Sequence, residues 1–192
     1  MIVIILTLLA VYCSSVKGIQ YNNIQHKTFK DFPNQCSSDS KMAPLVKIDK
    51  KFYYIEPKKM MTWFGAEHYC RKNNTNLATI ESKTEMDAIS QYLFKNIYAG
   101  VDPKFDWYYS KYWTSGNDLD TEGKFQWLGT GKPMEYTNWA PNQPDNIEGK
   151  ENCVVIWSEN GKTFNMDDEQ CNKKYSFICE ANGPQTVAIT VW

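Results

Sequence analysis

The sequence predicts an α+β domain, and three observations carry that class. Two segments with helical apolar spacing come first, short β-like segments separated by turns follow, and a continuous apolar run over residues 153–157 requires burial. Residues 1–10 are almost wholly apolar and 11–18 turn small and polar, the pattern of a secretory signal cleaved after Ser15 or Gly18, although no Lys or Arg precedes the apolar run. Residues 19–44 are polar and irregular and read as an extended leader. Residues 47–56 alternate and are aromatic, a strand ended by Pro57. Trp63, Ala66 and Cys70 then recur at helical spacing, and Asn73-Asn74 marks the stop. After a short apolar segment at 77–80, Ser82 and Glu85 form a capping box for a second helix whose stripe is Met86, Ile89 and Leu93, running to Lys95. Residues 96–112 carry Gly100, Pro103 and many aromatics, an ordered loop.

From Trp113 onward the β-like segments are 125–128, 134–139 and, most strongly, 153–157. Asn160-Gly161 has the residue types of a hairpin turn, Thr163-Phe164 starts the return strand, and 175–179 closes the domain. The domain therefore spans 45–181. A tail, 182–192, follows and would serve as an added edge strand or remain apart.

With 21 basic and 22 acidic residues the formal net charge is −1, which argues against nucleic acid as a partner. Past the signal no apolar run approaches membrane length, so the mature chain of about 174 residues is expected to be exported and extracellular, with no membrane span. His26 and His68 are the only histidines, so neither a Ser-His-Asp triad nor a His-rich zinc site can be assembled. Removal of the signal takes Cys13 and leaves Cys36, Cys70, Cys153, Cys171 and Cys179, which export would oxidise. The odd count leaves one thiol without an intrachain partner, and Cys36 lies in the leader away from the rest. An interchain disulfide making a homodimer and an idle thiol both fit it. Asn73-Asn74-Thr75 is an N-glycosylation acceptor at Asn73.

The chemistry concentrates between 138 and 153. Gln143, Asp145 and Glu151 offer side-chain oxygens from a Pro- and Asn-rich segment that cannot run as a helix or central strand. A second acidic pair, Asp167-Asp168, lies just before Cys171. Oxygen ligands on an irregular loop suit calcium better than zinc. A plainly solvated acidic loop fits the same residues.

Across 45–181 the order is Trp63…Cys70, Trp113-Thr-Ser-Gly, Glu122-Gly123-x-Phe125-x-Trp127, Asn138-Trp139, Gln143-Pro144-Asp145, Glu151-Asn152-Cys153, Asp167-Asp168-x-x-Cys171 and Cys179. Together these motifs resemble the C-type lectin domain, most closely its secreted insect members. The resemblance implies the C-type lectin fold: two helices, short antiparallel sheets, a long calcium-binding loop, and disulfides Cys70–Cys179 and Cys153–Cys171. Those bridges would close loops of about 110 and about 18 residues, contributing about 3–5 kcal/mol each on a chain-entropy account.

The resemblance further implies a cis Pro144 and a principal calcium ion held by Gln143, Asp145, Glu151, Asp167 and Asp168, through which a sugar binds. An auxiliary calcium site would use Asp118, Glu122, Asn146, Glu151 and Asn152. In the family the order Gln-Pro-Asp implies galactose or N-acetylgalactosamine, because amide and acid ligands offer opposite hydrogen-bonding faces to the sugar hydroxyls. Two departures stand out. Asp167 occupies a position that is usually Asn, and Ile147 one where galactose binders often place an aromatic ring. The implied function is a secreted, calcium-dependent lectin with no enzymatic activity, recognising galactose-type glycans on cells, microbes or glycoproteins, an innate-immune type of role. The alternative is a lectin-like module that binds a protein partner.

Overall fold

The structure, a computed structural model, describes residues 45–101 and 110–181. The expected signal, the leader with Cys36, the middle of the 96–112 loop and the 182–192 tail lie outside these residues.

Eight strands and two helices build the described fold: β1 (Val46–Ile48), β2 (Lys51–Met61), α1 (Trp63–Lys72), β3 (Thr75–Leu77), α2 (Lys83–Asn96), β4 (Tyr112–Asn117), β5 (Gln126–Trp127), β6 (Cys153–Trp157), β7 (Asn165–Glu169) and β8 (Tyr175–Ala181). Residues 47–56, expected as one strand, form a hairpin instead, because the chain turns at Asp49 with φ 52°. β2 also runs past Pro57. Its register against β8 shifts between Glu56 and Met61, and a residue without an N–H is tolerated in such an irregular stretch.

Both helices begin where the sequence places them. The Thr62 hydroxyl caps α1 by accepting from the Gly65 N–H at 3.2 Å, and the Ser82 hydroxyl caps α2 by accepting from the Glu85 N–H at 3.2 Å. Only half of the expected capping box forms. The Glu85 carboxylate accepts from the Glu81 N–H and the Tyr53 hydroxyl rather than from Ser82.

The sheet order is β1-β2-β8-β4-β6-β7, with β3 also on β8 and β5 on β4. The neighbours are antiparallel except β4 and β8, which are parallel through Tyr112↔Ser176 and Trp113↔Phe177. The short antiparallel sheets expected of the fold are present, and this one parallel pair makes the sheet mixed. β8 pairs antiparallel with β2 and β3 and parallel with β4, and short apolar runs do not encode which strands become neighbours or in which sense.

β6 explains its own composition. Val154 and Ile156 pack with Met86, Ile89 and Leu93 of α2, while Cys153 and Val155 pack with Trp63, Ala66 and Cys70 of α1. A strand buried on both faces reads as a continuous apolar run. Gly116 in β4 is held to its size by that strand, since an added Cβ would lie 2.9 Å from Val154 Cβ and from Met134 Sδ. The two implied disulfides are formed, Cys70–Cys179 and Cys153–Cys171, with Cα separations of 5.6 and 5.2 Å. Among the described residues no helix is long and apolar enough to cross a membrane.

Candidate metal centre

The 138–153 loop is anchored at both ends before any ligand is considered. At its start the Ala140 N–H donates to the Met166 carbonyl at 2.8 Å and the Met166 N–H to the Asn138 carbonyl at 2.7 Å, pinning the segment to β7. The Trp139 ring packs on Phe125 with centroids 4.8 Å apart. At its end Cys153 enters β6 and is bridged to Cys171, two residues beyond β7. The Gln143–Pro144 bond is cis. Beyond it the chain makes a tight turn through Asn146 (φ 41°) and Glu148 (φ 59°).

These anchors bring three of the expected carboxylates together. One oxygen from each of Asp145, Glu151 and Asp168 lies within 4.8 Å of the others. Asp168 is fixed from behind, since its Oδ1 accepts from the Asp145 N–H at 3.0 Å and its Oδ2 from the Asn146 N–H at 2.9 Å. Glu151 Oε2 accepts from the Ile147 N–H at 3.0 Å, and the Glu151 N–H donates to Asn146 Oδ1 at 3.1 Å. The loop is therefore tied to its own ligands.

Burial pushes the Glu151 carboxyl up to about 7, helped by the negative charges of Glu169, Asp168 and Asp145 and opposed by the Ile147 N–H. Burial also raises Asp168, against the two N–H bonds it accepts. Gln143 Oε1 is buried with no hydrogen-bond partner in the structure. A buried carbonyl oxygen without a donor is costly, and three converging carboxylates repel one another. A hard divalent cation relieves the repulsion of the three carboxylates, and the donors are all oxygen, so these residues fit Ca²⁺.

Asp167 stands apart from this cluster. It neighbours Asp168 in β7, and consecutive strand residues face opposite sides of the sheet. Its Oδ2 accepts from Lys111 Nζ at 3.0 Å, and the same ammonium bonds Glu169. Burial raises the Asp167 carboxyl to about 6 although Lys111 pulls it down. Lys111 is the residue that sequence reasoning did not find. Its signal was a lysine directly ahead of the buried Tyr112-Trp113 pair.

For the auxiliary set the outcome is mixed. Asp118 is buried, its Oδ2 accepts from the Gly123 N–H at 2.8 Å, and its Oδ1 has no hydrogen-bond partner. The Asp118 N–H meets the Asn152 carbonyl at 3.2 Å, and the charge of Glu122 is close enough to help burial raise the Asp118 carboxyl. Asn146 has turned its amide oxygen to the Glu151 N–H. Asn73 caps the C-terminus of α1, half-buried, with its Nδ2 donating to the Tyr69 carbonyl at 2.8 Å. A groove of about 690 Å³ lies elsewhere, between α2 and residues 162–165. The candidate centre has one exposed carboxylate, Asp145, in front of two buried ones, Glu151 and Asp168, which suits a ligand gripped by coordination.

The family model described as the lectin C-type domain matches residues 59–181. Salivary C-type lectin 2 of Aedes albopictus is 38% identical over 136 residues, covering 70% of this chain and 86% of that protein. C-type lectin 37Da of Drosophila melanogaster is 33% identical over 157 residues, covering 79% and 78%. Among solved structures, the mouse scavenger receptor C-type lectin carbohydrate-recognition domain is similar with a TM-score of 0.56 and 26% identity, covering 72% of this chain and 96% of that one.

Proposed function

Because the chain belongs to the lectin C-type domain family, we propose that it is an extracellular, calcium-dependent lectin that selects terminal galactose or N-acetylgalactosamine. Family members are carbohydrate-binding proteins rather than enzymes. The observation that carries the calcium reading is the convergence of Asp145, Glu151 and Asp168, with the partnerless Gln143 Oε1 two residues before Asp145 on the same loop. We assign the ion to these four residues. When bound, the ion supplies a Lewis-acidic centre at which two neighbouring sugar hydroxyls replace water.

The chain's own residues set which sugar fits. Gln143 can donate an amide N–H to a sugar hydroxyl and Asp145 can only accept, and this order, the reverse of Glu-Pro-Asn, motivates the galactose reading. Asp145 is exposed and Gln143 half-exposed, so both reach a ligand arriving from solvent. Glu151 and Asp168 are buried and brace the site from behind. An exported compartment is consistent with the two disulfides.

A galactose-agarose column tests the reading. Retention in calcium with release by EDTA is expected. Failure to bind galactose, or EDTA-resistant retention on mannose-agarose, would refute it.

A second reading, a lectin-like module for a protein partner, is favoured by two residues. Asp167 is engaged by Lys111 and presents no donor to a sugar, and Ile147 is 51% exposed on the loop where an aromatic ring would stack. A blank glycan array from a chain that still binds calcium by calorimetry would favour this alternative.

A further inference from the structure

The groove between α2 and residues 162–165 shares no residue with the cation centre, and its volume of about 690 Å³ is that of a ligand pocket. Its floor is Phe164, 2% exposed, whose carbonyl accepts from Asn138 Nδ2 at 3.2 Å. One wall is a face of α2 along which Lys83, Asp87, Phe94 and Lys95 fall at helical spacing. Lys83 and Lys95 are twelve residues apart on that wall, about 18 Å along the helix axis. Lys162 stands on the opposite wall.

Three lysines and a single acid thus line the groove, although the chain as a whole carries a formal net charge of −1. The acid, Asp87, is taken by Lys83 at 2.7 Å in an exposed pair, a contact that an arriving anion displaces at little cost. Among the described residues Lys95 and Lys162 make no ion pair. Gln91, Asn138 and Asn165 add amides, which donate and accept as sugar hydroxyls do. Phe94 is 38% exposed and offers a ring face to an apolar surface.

From this lining we propose that the groove binds a sulfated glycan chain, without calcium. The Lys95 and Lys162 ammonium groups hold sulfates, the amides bond the hydroxyls between them, and the Phe94 ring carries the C–H face of a pyranose. The cations select sulfate over carboxylate. A lysine is a compact point charge that suits a tetrahedral anion, whereas carboxylates pair best with the planar fork of arginine, and none lines the groove. An apolar peptide would find one exposed ring here, but a sulfated chain finds a partner for each of its groups.

The full chain on heparin-agarose in EDTA tests the proposal. Retention is expected, with elution by salt, because exposed charges are screened. Lys95→Gln combined with Lys162→Gln should bind heparin about 10-fold more weakly by calorimetry. Lys173→Gln combined with Lys174→Gln makes the same charge change at exposed lysines outside the groove and should leave the affinity unchanged. Phe94→Ala should also weaken binding although no charge changes. All five substituted side chains are exposed, and calcium-dependent retention on galactose-agarose should persist in every variant, which separates this groove from the cation centre. Passage of the unsubstituted chain through heparin-agarose in EDTA overturns the proposal, as does an equal loss in the two double variants. Equal retention on hyaluronan-agarose, which carries carboxylates but no sulfate, overturns the choice of sulfate. Equal retention on polyglutamate-agarose overturns the glycan, and an unaltered affinity in Phe94→Ala overturns the stacking.

Discussion

Glu151 sits among like charges, and its raised carboxyl makes the centre sensitive to pH in a definite direction. In the cation-free chain the cost of ionising Glu151 is absent below its ordinary value of 4.5 and complete above about 7. Asp168, Asp167 and Asp118 are also raised, so they act with the same sign. The cation-free melting temperature should therefore fall as pH rises through that window, and saturating calcium should remove the share of the fall that comes from Glu151 and Asp168. A melting temperature that climbs with pH in EDTA would contradict the account. Glu151→Gln keeps the shape but removes the charge. Charge-assisted contacts are worth about 1.5–3 kcal/mol, so titration calorimetry should register roughly a 10–100-fold loss of calcium affinity.

At the scale of elements, β4 and β6 are sheet neighbours whose buried side chains enter both core clusters. β4 is buried along its whole length, and the Trp113 indole donates to the Met61 carbonyl at 2.9 Å while the Trp63 indole donates to the Thr114 carbonyl at 2.8 Å. Gly116 lets the two strands close, and the obstructing atoms include Val154 Cβ, which cannot swing aside. Gly116→Ala should cost about 1–3 kcal/mol, as overpacking does. The check is the urea midpoint, with the slope unchanged. The helices were legible in the sequence because their caps and stripes are local. The β1–β2 turn at Asp49 was not, because one left-handed residue in an alternating run leaves no periodic trace.

For the molecule as a whole, the two disulfides have different duties. Cys70–Cys179 ties α1 to β8, far along the chain, whereas Cys153–Cys171 holds the ligand loop against β7. Replacing either pair by serine should cost about 2–4 kcal/mol. Only loss of Cys153–Cys171 should also weaken calcium binding by the folded fraction, a contrast that calorimetry on the two double variants reads directly. The order of tryptophans, cysteines and acids along the chain determined the domain, its two helices and the pool from which a cation centre could be drawn. Residue types and short-range spacing suffice for that, because capping, amphipathic stripes and ligand chemistry are local properties. The tertiary structure decided which acids of that pool converge. Asp145, Glu151 and Asp168 meet because a cis turn, a bridge and strand pairing bring distant segments to one point. Asp167 does not join them. Pleating turns it to the other face of the sheet, where Lys111, 56 residues away in sequence, engages it. No spacing rule encodes a contact that depends on which strands become neighbours.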